Sequence, residues 1–397
     1  MPDLLLLADD LTGACDAAAP FAARGARTNV LLSPRLPADT LYSAEILSLD
    51  LNYRDCRPKD AEGRLAEVLR VVSQAGTGRL YLKVDSLLRG HVALALRLAL
   101  RELDISSLLL CPAFPANGRG FSGGRAVHSV TQAPLDDGGL RHLLQVAGLP
   151  VRHITLSTLR QGGLAEAIQA AGGIAMVDAL TDEDLDRVAE ASAAVGPGCL
   201  PVGSGGLSSA LARRWPLRTA LPRLEAVESV LAIVGTAHPE TLAQVEHWVA
   251  RGAERWEWAE GTEYVPKQET RAVPHAVVQL RMPGATRSPE GWHALCSQFG
   301  AYAARWAVDL GASGVILTGG ATARAFLEGA GALCPCARED GGLPQLHLQG
   351  EVLPGMPRAS VLGGPLDGLQ VVAKSGGFGD PAALEVLARA LRQTGLG

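Results

Sequence analysis

The chain has 397 residues, two to three times the roughly 150 of a common domain, so one small module is excluded and two domains are expected. Hydrophobic residues make up 47% and charged ones 19%, which excludes a disordered chain. Thirty-six basic residues against 41 acidic give a formal charge of -5, and no bulk attraction draws such a surface to nucleic acid or an anionic membrane.

The first apolar run, Leu4 to Ala8, has no basic flank and is too short for a signal-peptide core, and no stretch reaches the eighteen or so apolar residues of a membrane span. A cytoplasmic protein is expected. That run ends at Asp9-Asp10-Leu11-Thr12-Gly13 and opens a helix through Ala17 to Arg24. Further runs lie at Leu80 to Val84, Leu108 to Cys111, Leu200 to Val202, Val230 to Val234, Gly314 to Leu317 and Gln370 to Ala373, each ending in a small polar or glycine-rich cluster. Short apolar runs that alternate with alanine-rich amphipathic stretches predict α/β architecture. Two α/β domains with mainly parallel sheets are expected, residues 1–222 and 223–397, with an active site in the interdomain cleft. The proline-flanked stretch Trp215 to Arg223 is the linker candidate, and residues 251–290 read as irregular or as an insertion. Parallel strands need crossovers, so the clusters after them collect at one sheet edge, where open α/β sheets bind ligands.

Asp9 and Asp10 at a helix start suit hydroxyl binding, general-base work or magnesium; N-capping by Asp10 or Thr12 is the plainer alternative. Lys83-Val84-Asp85-Ser86-Leu87-Leu88-Arg89-Gly90 sets two cations, a carboxylate and a hydroxyl after a strand, able to clamp a carboxylate or phosphate, unless Asp85 simply pairs with Lys83 or Arg89. In the loop Pro112 to Gly120, Asn117 and Arg119 can reach a polyhydroxy acid. Three glycine turns in the second half, Gly235-Thr236-Ala237-His238, Thr318-Gly319-Gly320-Ala321-Thr322 and Lys374-Ser375-Gly376-Gly377, join strand to helix where backbone N–H groups hold phosphates. The Walker pattern and an intact G-x-G-x-x-G are absent, Gly203-Ser204-Gly205 is no nucleophile elbow, and the cysteines, with Cys334-Pro335-Cys336 the sole close pair, make no zinc set. Three such glycine turns in one half suggest nucleotide phosphates, with a nicotinamide-dependent hydroxy-acid dehydrogenase and a non-catalytic sugar-acid sensor as competing readings. The dehydrogenase lacks its fingerprint, and the sensor has no use for three glycine turns.

Ala8 to Ala14, Lys83 to Gly90, Pro112 to Arg119, Thr318 to Ala323 and Lys374 to Gly379 together resemble the motifs of the four-carbon acid sugar kinase family, in order over nearly the whole chain. The resemblance implies an N-terminal domain that binds threonate, erythronate or 3-oxo-tetronate and a C-terminal domain that binds ATP with magnesium. By position it places Asp9-Asp10, Asp85 to Gly90 (with Ser86 and Arg89) and Asn117 in the acid-binding loops, to which Arg54 and Lys83 are added as candidate cations. It places Thr236, then Gly319, Gly320, Ala321 and Thr322, and then Gly376 in the three nucleotide loops, beside which the glycine turns themselves offer His238, Lys374, Ser375 and Gly377. Ala321 stands where the family usually has an acidic residue, Leu51-Asn52-Tyr53-Arg54 keeps only the arginine of a family run, and Thr131-Gln132-Ala133 replaces a glycine-asparagine run. On this reading Arg89 grips the acid's carboxylate with help from Arg54 or Lys83, and Lys374 meets polyphosphate. Asp10 accepts the hydroxyl proton, Asp85 is a neutralised orienting group, and Asp16 is a helical turn too far. Small-molecule partners and a possible homo-oligomer complete the expectation; no metal ligands are assigned.

Overall fold

A computed structural model describes residues 2–32, 44–75, 78–136, 139–217, 225–262, 275–282, 287–333 and 344–393. The chain divides into two compact units, Met1–Thr28 with Ser33–Thr219, and Asn29–Leu32 with Ala220–Gly397. The contiguous boundaries expected from sequence miss the early strand that belongs to the second unit. Position 222, part of the linker candidate (218–223) and the Cys334/Cys336 pair lie outside the described residues.

The chain opens with β1 (Leu4–Ala8), α1 (Leu11–Ala22) and β2 (Thr28–Leu31), whose residues from Asn29 on join the second unit. The first unit continues with β3 (Ile46–Asp50), α2 (Pro58–Ala75), β4 (Arg79–Lys83), α3 (Val92–Glu102) and β5 (Ser107–Cys111). A hairpin of β6 (Arg119–Ser122) and β7 (Arg125–His128) precedes α4 (Leu140–Val146), β8 (Val151–Ile154), α5 (Leu156–Gln161) and α6 (Leu164–Gln169). Then come β9 (Ile174–Val177), α7 (Asp182–Val195), β10 (Cys199–Gly203) and α8 (Gly205–Arg213). The sheet of this unit runs β3-β1-β4-β10-β5-β9-β8, each strand parallel to its neighbours.

The second unit holds β11 (Val230–Val234), α9 (Pro239–Ala250), β12 (Glu254–Trp258), β13 (His275–Leu280), α10 (Pro289–Asp309), β14 (Gly314–Thr318) and α11 (Gly320–Ala332). It ends with β15 (Gln345–Leu353), β16 (Met356–Leu362), β17 (Gln370–Lys374) and α12 (Ala383–Leu391). Strands β12-β13-β11-β14-β17 are parallel, and β16, β15 and β2 extend them antiparallel.

Strand β1 is Leu-Leu-Leu-Leu-Ala and wholly buried, as are β5, β11 and β14, the continuous apolar runs of parallel strands covered on both faces. Helices α10 and α11 pack closely through small residues: a Cβ on Gly329 would lie 2.7 Å from Ala301 Cα, so a larger residue would force them apart. The stretch read as irregular, 251–290, instead supplies β12 and β13, although Pro266 lies outside the described residues. Its tryptophans belong to an aromatic layer, Trp256 on Trp306 at 4.5 Å and Trp258 on Phe299 at 5.6 Å, which gives the strands the anchor that period alone did not reveal. Among the described residues no helix is long and apolar enough to cross a membrane.

Candidate functional site

In the first unit, register aligns Asp50, Ala8, Lys83, Gly203 and Cys111 as one terminal row across β3, β1, β4, β10 and β5. The segments leaving that row share one edge of the sheet: Leu51 to Arg54, Asp9-Asp10, Val84 to Gly90, Ser204 to Gly206 and Pro112 to Arg119. Residues far apart in the chain are thereby neighbours, because parallel strands all point their carboxyl ends the same way.

Arg54 is the hub of this edge. It donates from Nε to Asp9 Oδ2 at 2.9 Å and from Nη2 to Asp9 Oδ1 at 2.7 Å, and its Nη1 pairs with Asp10 Oδ2. Asp10 is the N-cap of α1, accepting from Gly13 N at 2.8 Å and Thr12 Oγ1 at 2.8 Å, so the capping alternative describes one of its jobs. Burial holds the Asp9 carboxyl above the usual carboxylate value, with Arg54 pulling the other way and Asp10 adding repulsion. Gly90, at φ +83, brings the next loop onto this pair; a Cβ there would come within 3.0 Å of Asp9 Oδ2.

Asp85 is 5% exposed and is gripped by Arg89 through Nε and Nη2, both at 2.8 Å. Burial opposes ionisation there, yet the Arg89 hydrogen bonds and the charges of Arg54 and Lys83 outweigh it and hold the carboxyl well below its ordinary value. This corrects the expectation for Arg89: the side-on fork meant for a ligand carboxylate is spent on Asp85. Ser86 accepts from Arg119 Nη1 at 2.7 Å, and Asn117 Nδ2 is buried with no hydrogen-bond partner among the described residues. Lys83 is 4% exposed, donates to Val84 O at 3.3 Å, and lies 3.6 Å from Asp16 Oδ2.

In the second unit the terminal row is Gln279, Val234, Thr318 and Lys374, so the three glycine turns are also brought together. Gly319, at φ +89, is the N-cap of α11 and carries no side chain to cap it, leaving the first-turn N–H groups of Gly320, Ala321 and Thr322 without an internal helical partner. A Cβ on Gly235 would overlap Thr322 Oγ1, and one on Gly376 would lie 2.9 Å from Thr236 Oγ1 and 3.2 Å from His238 Cβ. Gly377 backs on His238 in the same way, and His238 Nδ1 pairs with Glu240. These absent side chains leave a backbone-lined cradle at a helix start, which fits a polyphosphate.

Lys374 does not join that cradle. It is fully buried, and its ammonium donates to Thr241 Oγ1 at 3.0 Å and to Ser375 O at 3.1 Å, with Gly376 O at 3.5 Å. Burial lowers it to about 8, with Glu240 opposing. The expectation of a phosphate-binding lysine is therefore corrected: Lys374 ties the Ser375-Gly376 turn to α9, and Thr241 Oγ1 adds a 2.6 Å bond to Gly376 O. Its position after a strand gave no hint of this, since a side chain's direction at a terminal row depends on the neighbouring helix. Sequence reasoning weighed Asp16 only as a base and set it aside, and it gave Gly205 no role at the first unit's edge. The signal for Asp16 was available: it is the lone acidic residue of α1, Leu-Thr-Gly-Ala-Cys-Asp-Ala-Ala-Ala-Pro-Phe-Ala, whose other residues are apolar or small.

The fold and the two strand-end clusters define an α/β protein with a charged, carboxylate-rich edge on one unit and a phosphate-type cradle on the other. A sugar-binding N-terminal domain family matches residues 4–211. The D-threonate kinase of Bordetella bronchiseptica is 31% identical over 420 residues, covering 99% of this chain and 98% of that protein. A 3-oxo-tetronate kinase of Pseudomonas savastanoi pv. phaseolicola is 28% identical, covering 99% and 97%. Among solved structures, a Salmonella typhimurium LT2 protein shares the fold with a TM-score of 0.73 at 21% identity, covering 98% of this chain and 99% of its own. The chain belongs to the four-carbon acid sugar kinase family.

Proposed function

We propose that this protein transfers the terminal phosphoryl group of ATP to a hydroxyl of a four-carbon sugar acid of the threonate, erythronate or 3-oxo-tetronate type. The observation that supports it most is the uncapped start of α11 set between the glycine turns after β11 and β17, in a chain of this family. Phosphoryl transfer asks a protein for positioning and charge stabilisation, and both are met with groups already fixed before a ligand arrives.

The N–H groups of Gly320, Ala321 and Thr322 hold phosphate oxygens, with Thr236, Ser375, Gly376, Gly377 and His238 around them. A magnesium ion would be brought in with the ATP phosphates and would supply positive charge to them. On the first unit, Arg54 and Lys83 supply positive charge to the acid's carboxylate, and Asn117 Nδ2, without a hydrogen-bond partner among the described residues, offers a donor to a hydroxyl. Arg89 keeps Asp85 ionised and contributes only its remaining N–H groups. Asp10 accepts the hydroxyl proton: Asp9 and Asp85 each spend both oxygens on an arginine fork, whereas Asp10 Oδ1 meets a single backbone donor.

The test is ADP formation by the purified protein with ATP and magnesium against a panel of D- and L-threonate, D- and L-erythronate and their 3-oxo forms. Turnover above the acid-free background with at least one member is expected. Background rates with all of them, alongside intact folding, would overturn the assignment.

A further inference from the structure

Asp16 sits in the core of the first unit, 8% exposed, on a helix whose other residues are almost all apolar or small. Its Oδ2 is 3.6 Å from Lys83 Nζ, while Oδ1 is buried with no hydrogen-bond partner among the described residues. The carboxylate is backed by Gly205, the first residue of α8, where a Cβ would lie 2.6 Å from Oδ1 and would overlap Oδ2. That helix start is itself pinned: Ser204 donates to Ala113 O at 2.7 Å, and Tyr81 donates to Ser204 O at 2.6 Å. On the opposite side Lys83 Nζ lies under the first turn of α1. A Cβ on Gly13 would lie 2.5 Å from Asp10 Oδ1, 3.4 Å from that nitrogen and 3.7 Å from Arg54 Nη2, so the glycine lets Asp10, Lys83 and Arg54 come together at this turn.

Such a pair is a poor choice for stability alone. Apolar residues of similar volume usually serve a core as well or better, and a carboxylate oxygen left without a donor adds to the desolvation cost. The charged groups facing Asp16 are Lys83, Asp10 and Arg119. Burial lifts the Asp16 carboxyl above its ordinary value, with Lys83 opposing.

We infer that Asp16 is a positioning residue of the acid-binding edge: it holds the Lys83 ammonium under the first turn of α1, next to Arg54 and Asp10, where the substrate's carboxylate is received. Gly205 belongs to the same device, since only a residue without a side chain lets the Asp16 carboxylate stand between α8 and Lys83. The inference rests on the sugar-acid kinase reading.

The experiment is steady-state kinetics of Asp16→Asn, Lys83→Gln, the double variant and Gly205→Ala, with the acid that the wild type turns over best. Asp16→Asn keeps the shape and removes the charge. It should raise KM for the acid by about tenfold or more while KM for ATP stays within about twofold, the scale of losing one charged interaction. The double variant should be no worse than Lys83→Gln alone, because the two residues act as one unit. Gly205→Ala changes no charge but displaces the carboxylate, and it should raise KM for the acid in the same selective way; it also decides the matter if Asp16→Asn does not fold. An unchanged acid KM in Asp16→Asn or in a folded Gly205→Ala, or a double variant equal to the product of the single effects, would overturn the positioning role and leave the kinase reading standing. A wild type that turns over no four-carbon acid would instead overturn both.

Discussion

At the ends of β1, β3 and β4 the first unit gathers Asp9, Asp10, Asp85, Arg54, Lys83 and Arg89, every carboxylate matched to a guanidinium or ammonium and most of them buried. At the ends of β11, β14 and β17 the second unit presents glycines, Thr236 and an uncapped helix start, with Lys374 turned inward. The first edge works with full charges, which cost desolvation and therefore depend on each partner being present. The second works with backbone dipoles, which no substitution removes but any added side chain can block. One edge should thus be fragile to loss of charge, the other to gain of volume.

The largest effect should come from Arg54→Met, which leaves Asp9 and Asp10 side by side without their shared cation. A stability loss of about 3–5 kcal/mol in urea unfolding is expected, together with loss of acid turnover. A variant with wild-type stability would mean that the pairing is dispensable and the contrast between the edges is wrong. Next in size, Asp10→Asn should lower kcat by about 100-fold while ATP affinity stays intact. A rise in acid KM at unchanged kcat would move the base elsewhere. On the other unit, Gly376→Val should weaken ATP binding by about tenfold in calorimetry, from crowding of Thr236 and His238, at little cost to folding. Undiminished affinity would take Gly376 out of the cradle.

The smallest effect concerns Lys374 and pH. Its folded value is lowered from 10.5 to about 8, so between those values the unfolded chain binds a proton that the folded one does not, and this residue makes stability rise with pH across that window. Urea midpoints followed upward from about pH 8 toward 10.5 should show the rise, and Lys374→Met should flatten it. A slope unaltered by the substitution would mean that the ammonium is not held as the structure has it.

Much of the fold was legible in the chain because parallel strands buried on both faces write themselves as apolar runs, and the turns after them as glycine and small polar residues. Arg54 was legible only as the one residue kept from a family run, with no hint that it joins Asp9 to Asp10. Strands β12 and β13 were not legible, since their anchor is an aromatic layer shared with α10 that no local period records.

The sequence by itself determined the α/β class, the order of the strand-end clusters and the family, all of which depend on residue types at positions near one another in the chain. Only the tertiary structure decided that Arg89 is spent on Asp85, that Lys374 faces Thr241 and the turn carbonyls, that Asp16 stands between Gly205 and Lys83, and that residues Asn29–Leu32 join the second unit, where β2 pairs with β15. The physical reason is the same each time. A charged side chain has many candidate partners along a chain, and the one it takes is set by which strand lies next in the sheet and by how much water is left around the pair.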